Sequence, residues 1–182
     1  GAPAPTVLVS VCRAERFLVE GADAERAEQF ATRFLSAADL PDDLHVRIHR
    51  VLPRHAGLGS GTQLGLAVAR AIAELHGLPV DADRLALAIG RGARSAVGTW
   101  TFAGGGLVVE GGRPPAGDHV GPLLARLSFP PSWRVVVAVP HAGALVSGAR
   151  ESAAFAALPA PPEREVHEAA YLVLMQLLPA VR

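Results

Sequence analysis

The sequence predicts an α+β fold, with helices packed on one side of a mostly antiparallel sheet. Three observations carry that prediction. Strand-like and helix-like segments are mixed without strict alternation. The segment Leu44–Arg50 sets Leu44, Val46 and Ile48 against His45, Arg47 and His49, the period of a strand with one wet face. Half of the 182 residues are hydrophobic, enough to build a sizeable core in one domain.

The elements follow in chain order. Thr6 to Val11 (TVLVSV) and Arg16 to Glu20 (RFLVE) read as strands joined by a short turn. A helix follows from Asp23 as cap, with Ala27, Phe30, Ala31, Phe34 and Leu35 on one face, and Pro41 lies past its end. After the Leu44–Arg50 strand, Leu64, Ala67, Val68, Ala71, Ile72 and Leu75 mark a second helix, closed by Gly77 and Pro79. Asp81 caps a third. TWTFAGGGLVVEGG (99–112) reads as two short strands around a glycine turn, and Leu123, Leu124 and Leu127 as a short helix. Arg134 to Pro140 (RVVVAVP) is a continuous apolar run, expected as a buried strand. PEREVHEAAYLVLMQLL (162–178) is a terminal helix, with Tyr171 and Met175 expected in the core. Pro-rich pieces at 113–118, 128–132 and 159–162 read as loops within one domain.

Seventeen basic and seventeen acidic residues give a formal net charge of zero. Nucleic acid and membrane surfaces are therefore not expected partners, since both usually need a basic face. Every basic side chain is arginine; there is no lysine. A lysine nucleophile or lysine phosphate clamp is excluded in this chain. The single cysteine, Cys12, excludes an internal disulfide and a cysteine metal cluster, and reads as a small strand residue. No signal peptide is visible and no apolar run reaches the ~20 residues of a membrane helix, so the expected compartment is the cytoplasm.

The chemistry concentrates in HAGLGSGTQLG (55–65), a glycine-rich turn that opens the second helix. Helix starts carry unpaired N–H groups and partial positive charge. Gly57, Gly59 and Gly61 allow a tight turn and close approach of a ligand, and Ser60 and Thr62 add hydroxyls. Gly57, Leu58, Gly59, Ser60, Gly61 and Thr62 thus form a candidate phosphate-binding loop. The stretch lacks the lysine of a P-loop and the spacing of a dinucleotide fingerprint. Equally, Ser60 or Thr62 is an ordinary helix cap, and this segment alone leaves both readings open.

PRHAGLGSGTQLGLAVARAI (Pro53 to Ile72) resembles the second motif of the GHMP kinase superfamily, Pro-x-x-x-Gly-Leu-Gly-Ser-Ser, which wraps nucleotide phosphates. Gly61 replaces the second serine, and Thr62-Gln63 replaces small residues. With GRGARSAVGTWTFAGGGLVVEGG (Gly90 to Gly112), these departures resemble one non-kinase branch, the β-ribofuranosylaminobenzene 5′-phosphate synthase family of methanopterin biosynthesis. The resemblance covers most of the chain and is most specific from Pro53 to Gly112. It implies a GHMP-type N-terminal domain (ribosomal protein S5 domain 2-like). The implied reaction condenses 4-aminobenzoate with phosphoribosyl pyrophosphate, releasing carbon dioxide and pyrophosphate. It further implies Mg2+, a homodimer, and a functional role for Arg91 and Arg94, since arginine grips phosphate or carboxylate at two points. From composition alone that pair reads as a solvated helix end.

Other candidates have weaker support. Ser95 and Thr99 equally satisfy turns. Gly104, Gly105 and Gly106 read as a strand turn or a close backbone approach. His55 sits beside the loop, His141 follows the apolar run, and Glu110 at a strand end is a candidate magnesium ligand. His45 and His49 lie ~13 Å apart on a strand, too far for one metal. The family's N-terminal Arg-Leu-His-Phe-Gly-type strand and its C-terminal domain have no counterpart, so residues 1–182 are expected to be the first domain alone, with an incomplete catalytic set. Two rivals stand beside the synthase: an ATP-dependent small-molecule kinase, and a non-catalytic fragment of either.

Overall fold

The computed structural model describes residues 6–54, 56–112, 119–138 and 149–181. Its first layer is a three-stranded sheet of β1 (Leu8–Arg13), β2 (Leu18–Gly21) and β3 (Leu44–Arg50). The strand order is β1-β3-β2. β3 lies between the others, antiparallel to β1 and parallel to β2. The two early strands are therefore not a hairpin; each pairs with β3 instead. The reason is burial. Leu44, Val46 and Ile48 are at most 2% exposed, so β3 is the strand whose apolar face earns the central place.

α1 (Ala24–Ala37) and α2 (Ser60–Leu75) cover that face. α1 buries the five residues its periodicity marks: Ala27, Phe30, Ala31, Phe34 and Leu35. Asp23 stands at its start in the left-handed region, φ 61°, and makes no side-chain cap. Its carboxylate is instead held by Arg26 and Arg54. α2 buries Leu64, Gly65, Leu66, Val68, Ala69, Ile72 and Ala73, a face rotated slightly from the one read in sequence. It ends in a Schellman motif: Leu78 N–H donates to the Ala73 carbonyl and Gly77 N–H to that of Glu74. α3 (Ala82–Ala88) follows Asp81, which again makes no side-chain cap.

Residues Val97–Gly104 form α4, not a strand. Thr, Trp and Phe favour strands weakly, and tertiary context overrides them. Ser95 Oγ accepts from Val97 N–H, and Thr101 Oγ1 donates to the Val97 carbonyl inside the helix. Arg126 Nη2 donates to the Trp100 carbonyl near its end, a cation suited to a helix C-terminus. β4 (Leu107–Glu110) then pairs antiparallel with β5 (Leu123–Leu127), which is a strand rather than a short helix. Gly106 makes the close approach expected of the glycine run: a Cβ there would strike the Leu127 carbonyl.

The apolar run after Arg134 is not a buried strand over its described part. Val135, Val136 and Val137 are 76%, 90% and 50% exposed, and no strand partners them among the described residues. α5 (Ala149–Ala156) and α6 (Glu163–Tyr171) follow, and α6 continues through a π-helical stretch, Leu172–Leu177, into α7 (Leu178–Ala180). Tyr171 and Met175 are exposed rather than core residues. No described helix is long and apolar enough to cross a membrane.

Gly21 gives the sheet a sharp test. It sits at φ 102°, and a Cβ would run into the carbonyl oxygen of Ile48 on β3. Gly21→Ala is expected to destabilise the fold by about 1–3 kcal/mol, through strain at that φ and parting of β2 from β3. Urea denaturation measures it; an unchanged midpoint would refute the contact.

Candidate functional site

Two glycine turns bring the candidate residues together. The first precedes α2. Gly57 and Gly59 both adopt positive φ, 70° and 64°, and Gly59 is the residue from which the helix starts. No side chain caps α2. Ser60 and Thr62 lie within its first turn, so the ordinary-cap reading of those hydroxyls is not what the chain does. The first turn closes with Gln63 N–H donating to the Gly59 carbonyl, 3.0 Å. Among the described residues, no carbonyl or side chain takes the amides of Ser60, Gly61 and Thr62. They keep the unspent donors and partial positive charge of a helix start.

The second turn ends α3. Gly90, φ 70°, takes the C′ position: its N–H donates to the Leu87 carbonyl, and Arg91 N–H to that of Ala86 at 2.7 Å. This Schellman cap fixes where Arg91 leaves the helix. The Arg91 guanidinium then lies over the Phe30 ring, 5.0 Å from its centroid. Burial lowers its pKa, and the neighbouring cations Arg26, Arg33 and Arg94 lower it further. Among the described residues no carboxylate pairs with it. Arg94 lies over the ring of Phe155, 5.3 Å from its centroid.

Between the turns lies an open cleft of about 660 Å³. Gly59 and Thr62 line one side; Gly90, Arg91, Gly92, Arg94 and Ser95 line the other, with Gly98 and Phe155 completing it. Gln63 ties the two sides together by donating to the Gly98 carbonyl, 3.0 Å. Of the residues singled out from sequence, Gly59, Thr62, Arg91, Arg94 and Ser95 thus meet in one place. Gly61 abuts it, its Cβ position 3.1 Å from Arg91 Nη2. Gly57, Leu58 and Ser60 belong to the turn without lining the cleft. His55 and His141 lie outside the described residues. His45 and His49 face other partners, Glu20 and Ser10. Glu110 does not line the cleft; its Oε2 is buried beside Gly121 without a hydrogen-bond partner among the described residues.

Three side chains of α1 that the sequence did not mark for the site lie behind this lining without being part of it. Arg26 reaches Gly61 from α1, Arg33 reaches Gly90, and Phe30 carries Arg91. Their spacing, 26, 30 and 33, is a helical stripe. Its middle member is an obvious core residue, which hid the arginines on either side.

The chemistry this arrangement supports is the binding of negative oxygens. Arginines and backbone amides provide donors in fork and nest geometry, in a partly dry setting. Magnesium fits poorly. The described lining of the cleft contains no carboxylate, and no group of three His, Cys, Asp or Glu side chains converges among the described residues.

Thr99 lies just behind this lining. It is fully buried, its Oγ1 has no hydrogen-bond partner among the described residues, and it stands 4.0 Å from the Cβ position of Gly92. An unpaired buried hydroxyl costs stability. Thr99→Val is therefore expected to stabilise the protein by about 1 kcal/mol. A urea titration checks this, and a clear loss of stability would contradict the unpaired hydroxyl.

Residues 25–105 match the family described as GHMP kinases N terminal domain. Three curated relatives carry the name β-ribofuranosylphenol 5′-phosphate synthase. The protein of Methanothermobacter thermautotrophicus is 35% identical over 162 residues, covering 83% of this chain and 49% of its own. That of Archaeoglobus fulgidus is 34% identical over 192 residues, covering 97% and 59%. That of Methanocaldococcus jannaschii is 32% identical over 155 residues, covering 77% and 46%. The chain spans about half the length of these relatives. Over most of its own length the chain is similar to these synthases, and its residues 25–105 match the GHMP kinase N-terminal domain.

Proposed function

We propose that the cleft between the two glycine turns holds the phosphorylated substrate of a ribosyl-transferring synthase, phosphoribosyl pyrophosphate. The observation that carries this reading is the meeting of Arg91 and Arg94 with the open start of α2 in one cleft. In the reaction, the bond between the sugar's anomeric carbon and the pyrophosphate oxygen breaks, and the electron pair leaves with pyrophosphate. A ring carbon of the aromatic acid forms the new bond to the sugar. Its carboxylate then departs as carbon dioxide, returning its electron pair to the ring. The hard step is the departure of a polyanion. Arg91, Arg94 and the start of α2 at Thr62 meet that growing charge with donors. No nucleophilic side chain is needed.

The acceptor is a para-substituted benzoate. The resemblance implies 4-aminobenzoate, whereas the relatives' name speaks of a phenol product. Amino and hydroxyl groups both push electrons toward the ring carbon opposite, so the same mechanism serves either. Methanopterin biosynthesis, a homodimer and a cytoplasmic setting complete this reading. Magnesium is no part of the derived steps, since the described lining offers it no carboxylate. The charge-balancing role falls to arginine instead.

Turnover tests the proposal. The chain, and a longer protein containing it, are given phosphoribosyl pyrophosphate with 4-aminobenzoate or 4-hydroxybenzoate, with and without Mg2+, and riboside and carbon dioxide are measured. Riboside from the longer protein supports the synthase. Tight binding of ATP with no affinity for phosphoribosyl pyrophosphate would instead favour a kinase. Affinity for neither ligand would favour a non-catalytic role. Arg91→Ala is expected to weaken pyrophosphate binding by about 10–100-fold, the loss of hydrogen bonds to a charged group. Calorimetry reads it, and unchanged affinity would remove Arg91 from the site.

A further inference from the structure

We propose that Arg26 is an anion-binding residue of this cleft, admitted by Gly61, and that the pair tunes the site to two adjacent phosphoryl groups. The inference rests on the phosphate reading above and names a residue and a selectivity within it.

The geometry is specific. Arg26 leaves α1 and Arg91 leaves the α3 cap, yet both guanidinium groups reach the same point. A Cβ on Gly61 would lie 3.0 Å from Arg26 Nη2 and 3.1 Å from Arg91 Nη2. Real Cβ atoms seldom come that close, so a side chain here would make the guanidinium groups give by a few tenths of an ångström. The serine of the related nucleotide-binding motif would add a hydroxyl as well. Glycine at 61 is not required by its own backbone, since its φ is not positive. What it provides is room for two cations.

Two like charges at one point need a reason to stay. Asp23 supplies part of it: Oδ2 lies 3.2 Å from Arg26 Nη1, one turn away on the same helix. That carboxylate is shared with Arg54. Asp23 is thus divided between two arginines, Glu25 acts on Arg54 as well, and Arg91 has no carboxylate of its own among the described residues. The local sum is positive, beside amides that are also positive. A single phosphoryl group reaches Arg91 and the amides of α2. A second, linked to the first, reaches Arg26, whose direction Asp23 holds. The natural ligand of this constellation is a diphosphate rather than a lone phosphate.

The test is calorimetry on the 182-residue chain with inorganic pyrophosphate and inorganic phosphate as probes. The unaltered chain is expected to prefer pyrophosphate. Arg26→Gln should cost pyrophosphate about tenfold or more and phosphate less than about threefold. Gly61→Ser should give the same pattern. The double variant should be no worse than Arg26→Gln alone, because the two changes remove one interaction. If Arg26→Gln fails to fold, Arg26→Lys decides: it keeps the charge and the Asp23 pair but loses the fork. Arg26→Lys should still bind phosphate normally and bind pyrophosphate several-fold more weakly. Equal pyrophosphate binding by the unaltered chain and the Arg26 variants would overturn the proposal while leaving the phosphate reading intact. So would an equal loss for both probes. No binding of either probe by the unaltered chain would overturn that reading itself, and this inference with it.

Discussion

The cleft depends on how closely α1 and α2 approach, and that approach depends on Gly65. A Cβ there would lie 2.8 Å from Ile89 Cδ1 and 3.1 Å from Phe30 Cδ1. The missing side chain lets Phe30 sink to 4% exposure while its ring still reaches the cleft side. One face of that ring belongs to the core, and Arg91 lies over it. Core packing and cation placement are therefore not separable here. A change that moves α1 against α2 moves the charge as well, through a single aromatic ring.

The all-arginine composition acquires a physical meaning at this site. A partly buried lysine loses its proton readily, whereas arginine keeps its charge even when burial and neighbouring cations press against it. Arg91 is under that pressure, from its own burial first and then from Arg26, Arg33 and Arg94. Its planar group also stacks on Phe30, which an ammonium would do less well. Whatever the origin of the lysine-free composition, the consequence is a cation that stays charged in a half-dry place.

Much of the fold was legible because its signals were local. The alternation of Leu44–Arg50 and the three-four spacing behind Ser60 led to β3 and α2 at nearly the observed bounds. The failures came where a neighbour decides the outcome. Val97–Gly104 is rich in strand formers but lies against α2, with Gly98 close to Thr62, and it becomes a helix. Leu123–Leu127 becomes a strand because β4 is there to pair with it. Val135–Val137 lacks such a neighbour among the described residues and stays exposed. At the candidate site, the two turns with Arg91 and Arg94, which the structure places on one cleft, were singled out from motif and resemblance. Arg26 was not, because it is distant in sequence and sits on a helix whose pattern speaks only of the core.

The Schellman end of α3 has a kinetic consequence. The backbone that launches Arg91 is held by two main-chain hydrogen bonds, from Gly90 and Arg91 back into the helix. The point at which Arg91 leaves α3 is thus set by the helix behind it. On the proposed phosphate reading, an anion captured there would cost this turn little chain entropy, and its encounter would slow as added ions screen the field of the arginines.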